Sequence, residues 1–119
     1  MNADQIAEIQ PALREAFDGA PNTCVTFEVE GDQERWLQVV DQTINAAYPH
    51  GDDPESRLRA LPGVSGLRIS SWEAWKFVTL ECPGWDAGSL ATWIDAYFVA
   101  VLACKAGDYH VDVTCENLQ

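Results

Sequence analysis

Basic residues are what this chain has least of. Seven lysines and arginines stand against nineteen aspartates and glutamates, a formal charge of -12 at pH 7. Residues 1–34 alone hold eight acids and the single base Arg14. Such a surface repels phosphate backbones and anionic headgroups, so direct nucleic-acid or membrane-surface binding is not expected. It steers basic partners instead. Long apolar runs are also missing, since none approaches the roughly 18 residues that a membrane span requires. The start, Met-Asn-Ala-Asp-Gln, lacks the basic and apolar regions of a signal peptide. A cytoplasmic location with reduced thiols is therefore expected.

Chemistry-bearing motifs are scarce as well. The cysteines at 24, 82, 104 and 115 form no CxxC pair, which removes the usual spacing of zinc and redox sites. Cys82 and Cys104 lie in apolar runs and read as small buried hydrophobes. Cys24 and Cys115 each fall on an expected strand and would pair only if those strands are neighbours. There is no Gly-x-Ser-x-Gly, no phosphate-cradling glycine loop and no dinucleotide fingerprint. No catalytic residue, cofactor or metal is expected. Of the two histidines, His110 alternates onto the same strand face as Asp112, a carboxylate able to orient an imidazole. His50 lies beside Asp52, Asp53 and Glu55. That loop reads as solvated, because Pro54 and the ligand order break the calcium-loop pattern.

What is present specifies a core. Hydrophobic residues make up 47% and charged residues 22% of 119 positions, the composition of one globular domain spanning residues 1–119. Ile6, Ile9, Leu13 and Phe17 share one side of a helix over residues 4–18, in which Pro11 marks a kink or a later start. Cys24 to Glu30 alternates as a half-buried strand. Residues 33–48 fit either a helix or a strand. The hairpin signal Gly31-Asp32 favours one strand there. Tyr48 to Glu55 is a loop, with a short helix over 57–61 to follow. Strands are expected over 66–70, 75–82 and 109–115. Leu90, Trp93, Ile94, Tyr97, Phe98, Val101 and Leu102 recur at helical spacing, giving a long amphipathic helix over 86–106, capped by Asp86 or Ser89 and ended by Gly107. The expected class is α+β: a mainly antiparallel sheet of four to five strands, with both helices packed on one face.

Five tryptophans are many for this length. Trp93 belongs to the core helix. Trp72 and Trp85 fall at turns, and Trp36 and Trp75 on segments whose inner face is ambiguous. Tryptophan is enriched in interface hot spots and also lines small-molecule pockets. The expectation is a non-enzymatic acidic protein-binding module, of inhibitor/immunity or chaperone/adaptor type. Its aromatic patch (Trp36, Trp72, Trp75, Trp85, with His110 and Asp112) is framed by carboxylates and takes a protein partner, a basic one by preference. A homodimer is left open. The alternative is a small-molecule binder or small enzyme, with a pocket between sheet and long helix lined by Trp36, Trp75 and Tyr97. Trp93→Ala should cost about 3–5 kcal/mol of stability, the usual loss on truncating a buried aromatic. Urea denaturation checks this, and an unchanged midpoint would remove Trp93 from the core.

Overall fold

Alternation of apolar and polar residues favours a sheet with one buried face, and most of the strands carry that pattern. In the computed structural model, which describes residues 3–18, 23–63, 67–81, 84, 86–105 and 108–117, the elements run in a simple order. Helix α1 (Ala3–Asp18) precedes a meander of β1 (Thr23–Val29), β2 (Asp32–Val40) and β3 (Thr43–Ala47). Then come α2 (Pro54–Arg59), the hairpin β4 (Arg68–Glu73) and β5 (Phe77–Glu81), helix α3 (Ala87–Ala100) and β6 (Val111–Asn117). The strands form one antiparallel sheet in the order β4-β5-β3-β2-β1-β6. No helix among the described residues is long and apolar enough to cross a membrane.

Register places Val25, Phe27, Leu37, Val39, Ile44, Ala46, Val78 and Leu80 on one face, and all are fully buried. They join Ile9 and Leu13 of α1 and the inner residues of α3 in a single core. The α+β class and the helix-covered face agree with the sequence, but the strand count does not. Residues 33–48 are two strands rather than one, turned at Asp41 and Gln42. Asp41 takes a left-handed backbone (φ 53°), which aspartate tolerates, so no glycine marks the turn. The β4–β5 turn is also displaced: Ser71, Trp72 and Glu73 are strand, and Trp75 is turn.

Helix α3 is shorter than its apolar pattern, and more completely buried. Asp86 caps it, its carboxylate accepting from the Ser89 N–H (2.8 Å) and hydroxyl (3.0 Å), and these bonds hold the acid below its usual pKa. Ala103 turns left-handed (φ 58°), and the N–H groups of Leu102 and Cys104 fold back onto the carbonyls of Tyr97 and Phe98. The chain thus leaves the helix before the expected stop at Gly107, which lies outside the described residues. Leu90, Ala91, Trp93, Ile94, Asp95, Tyr97 and Phe98 are all buried, more than one amphipathic stripe would supply. α1 packs on one side of α3, and the 61–63 segment reaches another.

Two polar anchors fix α3. The Tyr97 hydroxyl donates to the Ala47 carbonyl at the end of β3 (2.7 Å), and the Tyr109 hydroxyl donates to Asp95 (2.6 Å). Gly63 makes the closest approach: a Cβ there would meet the Ser89 carbonyl oxygen at 2.7 Å and the Trp93 nitrogen at 3.0 Å, and its φ is 108°. Clash and backbone strain act together, so Gly63→Ala should destabilise by about 1–3 kcal/mol. Chemical denaturation measures this. A midpoint equal to wild type would mean that the 61–63 segment moves off α3 freely.

Candidate functional site

The second face of the sheet carries a different residue set. Across all six strands its middle row is uncharged and polar: Thr114, Thr26, Gln38, Asn45, Thr79 and Ser71. The Thr79 hydroxyl donates to Asn45 Oδ1 at 2.6 Å. One end of this face is acidic and aromatic. There Asp112 on β6 lies opposite Glu28 on β1, Glu28 lies opposite Trp36 on β2, and Ala47 on β3 lies opposite Phe77 on β5.

Two neighbouring hollows occupy that end. The first, about 440 Å³, is lined by Glu28, Val29, Gly31, Asp32, Gln33, Glu34 and Asp112. The second, about 360 Å³, is lined by Gln33, Glu34, Trp36, Ala47, Tyr48, Pro49, Trp75 and Lys76. Gln33 and Glu34 are common to both. The small Ala47 leaves a trough, with the indoles of Trp36 and Trp75 as its apolar lining.

Trp75 is the most exposed large hydrophobic residue described, at 71%, and its backbone is left-handed at φ 67°. It is the third residue of a turn closed by the Lys76 N–H on the Glu73 carbonyl (3.1 Å). Glycine or asparagine is the usual occupant there, and a bulky residue is strained. The Trp75 N–H donates to the His50 carbonyl (2.9 Å). The indole lies over Gly51, where a Cβ would stand 3.0 Å from Trp75 Nε1.

The 48–55 loop that seats Trp75 is itself tied down. His50 Nε2 bonds the Val101 carbonyl (2.8 Å), and the Tyr48 hydroxyl donates to the Asp52 carbonyl (2.8 Å). Arg57 bonds the Asp52 carboxylate at 3.1 Å and holds it below its ordinary pKa. Asp53 caps α2 through the Glu55 N–H, and Glu55 pairs with Arg59. These side chains are occupied in building the loop.

The expected site residues divide. Trp36 and Trp75 come together. Trp72 does not join them: register sets it opposite Val78 on the helix-covered face. There it packs edge-on against Tyr48 with ring centroids 6.2 Å apart. Trp85, like Cys82, lies outside the described residues. Asp112 lines the acidic hollow, but His110 leaves it and bonds Glu8 of α1 at 3.2 Å. The expected His110–Asp112 pairing is not made: the backbone of residue 110 still meets Glu30, but its imidazole is taken up by Glu8. Tyr97 is buried against the core while Trp36 and Trp75 face outward, so the three do not line one pocket. Cys24 and Cys115 sit on neighbouring strands, yet register pairs Cys115 with Val25 and Cys24 with Glu116. The thiols leave opposite faces and are free. Burial raises the Cys104 pKa and keeps that thiol neutral.

Sequence reasoning missed Glu28, Asp32 and Glu34. The alternation of β1 already turned Glu28 to the solvated face; only the hairpin register brings the other two beside it. Arg35 pairs with Asp32 (3.3 Å), and Arg57, Arg59, Arg68, Lys76 and Lys105 pair with Asp52, Glu55, Glu81, Glu73 and Asp108. Glu28, Glu34 and Asp112 form no ion pair among the described residues. Their charge is left for a ligand or for solvent.

The Glu8 carboxylate raises the His110 pKa through a hydrogen bond and its charge, with Glu30 and Asp108 adding to the field. A raised folded-state pKa means that this contact stabilises below the unfolded value of about 6.5. The contribution fades as pH rises through the folded value. NMR titration should place His110 above an ordinary histidine, and Glu8→Gln should lower it. An identical titration in both proteins would mean the contact is not made in solution. Compared with known proteins, the chain matches no family model, no curated protein and no solved structure.

Proposed function

We propose that this chain is a non-enzymatic acidic protein-binding module, of inhibitor or chaperone type, whose open sheet face takes a basic segment of a partner protein. The observation that carries the reading is the joint hollow of Trp36 and Trp75, sharing Glu34 with a second hollow in which Glu28, Glu34 and Asp112 form no ion pair among the described residues. Indole faces attract lysine and arginine through cation–π contact, worth about 0.5–2 kcal/mol each. Adjacent carboxylates supply the long-range field that speeds association. The strain at Trp75 supports the same reading. Backbone strain of about 1–3 kcal/mol is retained where the surroundings hold it, and such residues cluster at functional sites. A largely exposed indole offers little burial in return.

Trp75→Gly separates the two roles of this residue. Glycine relaxes the left-handed turn, so stability should hold or rise, by up to about 1 kcal/mol. Binding of a lysine-rich peptide, followed by calorimetry at low and high salt, should weaken by about tenfold or more, since a lost aromatic anchor costs at least 1–2 kcal/mol. Trp36→Ala should act in the same direction. Release of the natural partner by salt assigns the inhibitor type, and persistence the chaperone type. Unaltered peptide affinity in both variants would refute the site.

A further inference from the structure

Strand β6 ends the sheet, and the chemistry of its free edge can be read from its register. The Glu30 N–H donates to the His110 carbonyl at 2.9 Å, which makes 30 and 110 a hydrogen-bonded pair. Such pairs alternate along an antiparallel ladder. The register Val29↔Val111 to Thr23↔Asn117 continues without a break. Asp112, Thr114 and Glu116 therefore spend their backbone groups on β1. Val111, Val113 and Cys115 direct their N–H and C=O groups outward. An edge of this kind is a template for another strand, and this one carries no proline or lysine to blunt it.

The side chains say what that strand should be. On the helix-covered side the edge shows Val113, 43% exposed, and the exposed Cys115. On the open face it shows Asp112 and Glu116, neither in an ion pair among the described residues, and Asp112 also borders the acidic hollow. A second copy is a poor occupant. The antiparallel register using all seven residues of β6 centres on Thr114 and sets the Asp112 of each copy against the Glu116 of the other. Like charges directly opposite destabilise a sheet, and each chain brings a further -12.

The geometry points to strand addition at β6 by an extended basic segment of a partner protein, read antiparallel as basic–apolar–any–apolar–basic–apolar. Its basic residues oppose Glu116 and Asp112, and its apolar ones oppose Cys115, Val113 and Val111. This rests on the reading of the open face as a partner-binding surface and gives that partner a backbone mode and a sequence pattern. The residue opposite Asp112 stands at the mouth of the acidic hollow, in the row that leads through Glu28 to Trp36.

A flanked peptide containing Lys-Val-Thr-Val-Lys-Val tests it by amide hydrogen exchange. In the free protein the amides of Val113 and Cys115 should exchange fast, while those of Asp112 and Thr114 are protected by β1. Bound peptide should slow Val113 and Cys115 selectively, and the Glu-Val-Thr-Val-Glu-Val counterpart should not bind. Val113→Pro removes an outward N–H, which an edge strand tolerates, and should weaken the peptide about tenfold or more. Thr114→Pro, which removes an inward bond, should instead destabilise the fold. Peptide bound with Val113 and Cys115 still exchanging fast would overturn the edge mode alone. No binding at all would overturn both the edge mode and the function it rests on. Protection at Val113 that rises with protein concentration without peptide would assign the edge to a second copy and overturn the proposal.

Discussion

A sheet has two faces, and this chain packs its helices on only one of them. Everything else follows from that imbalance. Six strands are a wide surface to cover, and α1 and α3 cover one side with a core that buries Phe27, Trp93, Tyr97 and Phe98 completely. The other side must live with water, so its middle row is threonine, glutamine, asparagine and serine rather than valine and leucine. A single-layer cover also leaves the lateral edges bare. β6, paired with β1 alone, is exposed over residues 112–116.

On that solvated face the chain departs from the bland solution at one place. A turn position suited to glycine holds Trp75, and the residue beneath the indole is Gly51, where a Cβ would crowd the ring at 3.0 Å. Glycine at position 75 would relax the turn, so the strain is kept together with an indole held out at the surface. The loop beneath it is correspondingly stiff. His50 ties it to the end of α3, Tyr48 and Arg57 tie it through Asp52, and Asp53 begins α2. For the proposed contact, a strained residue on a firm seat is pre-organised and would lose little entropy on binding.

How much of this was legible in the sequence depends on the range of the forces involved. The α1 stripe, the β1 alternation, the α3 core residues and the α+β class were readable, because local periodicity reports burial directly. The turn at Asp41 was hidden because aspartate adopts positive φ without the glycine that normally flags it. The early end of α3 was hidden because its stop is Ala103, not Gly107. The site was less legible than the fold. Trp36 and Trp75 meet only through the pairing of β2 with β3 and of β3 with β5, contacts that no local pattern encodes. One residue of register decides which face a side chain takes. Trp72 and Trp75 therefore parted, although both lay near one expected turn, and Cys24 and Cys115 reached adjacent strands facing opposite ways.

The acidity also changes meaning once the pairs are placed. A charge of -12 read from composition is a statement about solubility. In the fold, six of the seven lysines and arginines are taken up by nearby carboxylates. Such exposed pairs add little stability, but they remove cations from the field. Part of the surplus lies at one end of the open face, where Glu28, Glu34 and Asp112 form no ion pair among the described residues, and part along the β6 edge at Glu116. The aromatic hollow lies beside the first group, and the unpaired backbone groups of β6 run between Asp112 and Glu116. The proposed extended cationic segment would bring counter-charge to the carboxylates, a cation to the indoles and backbone groups to the edge.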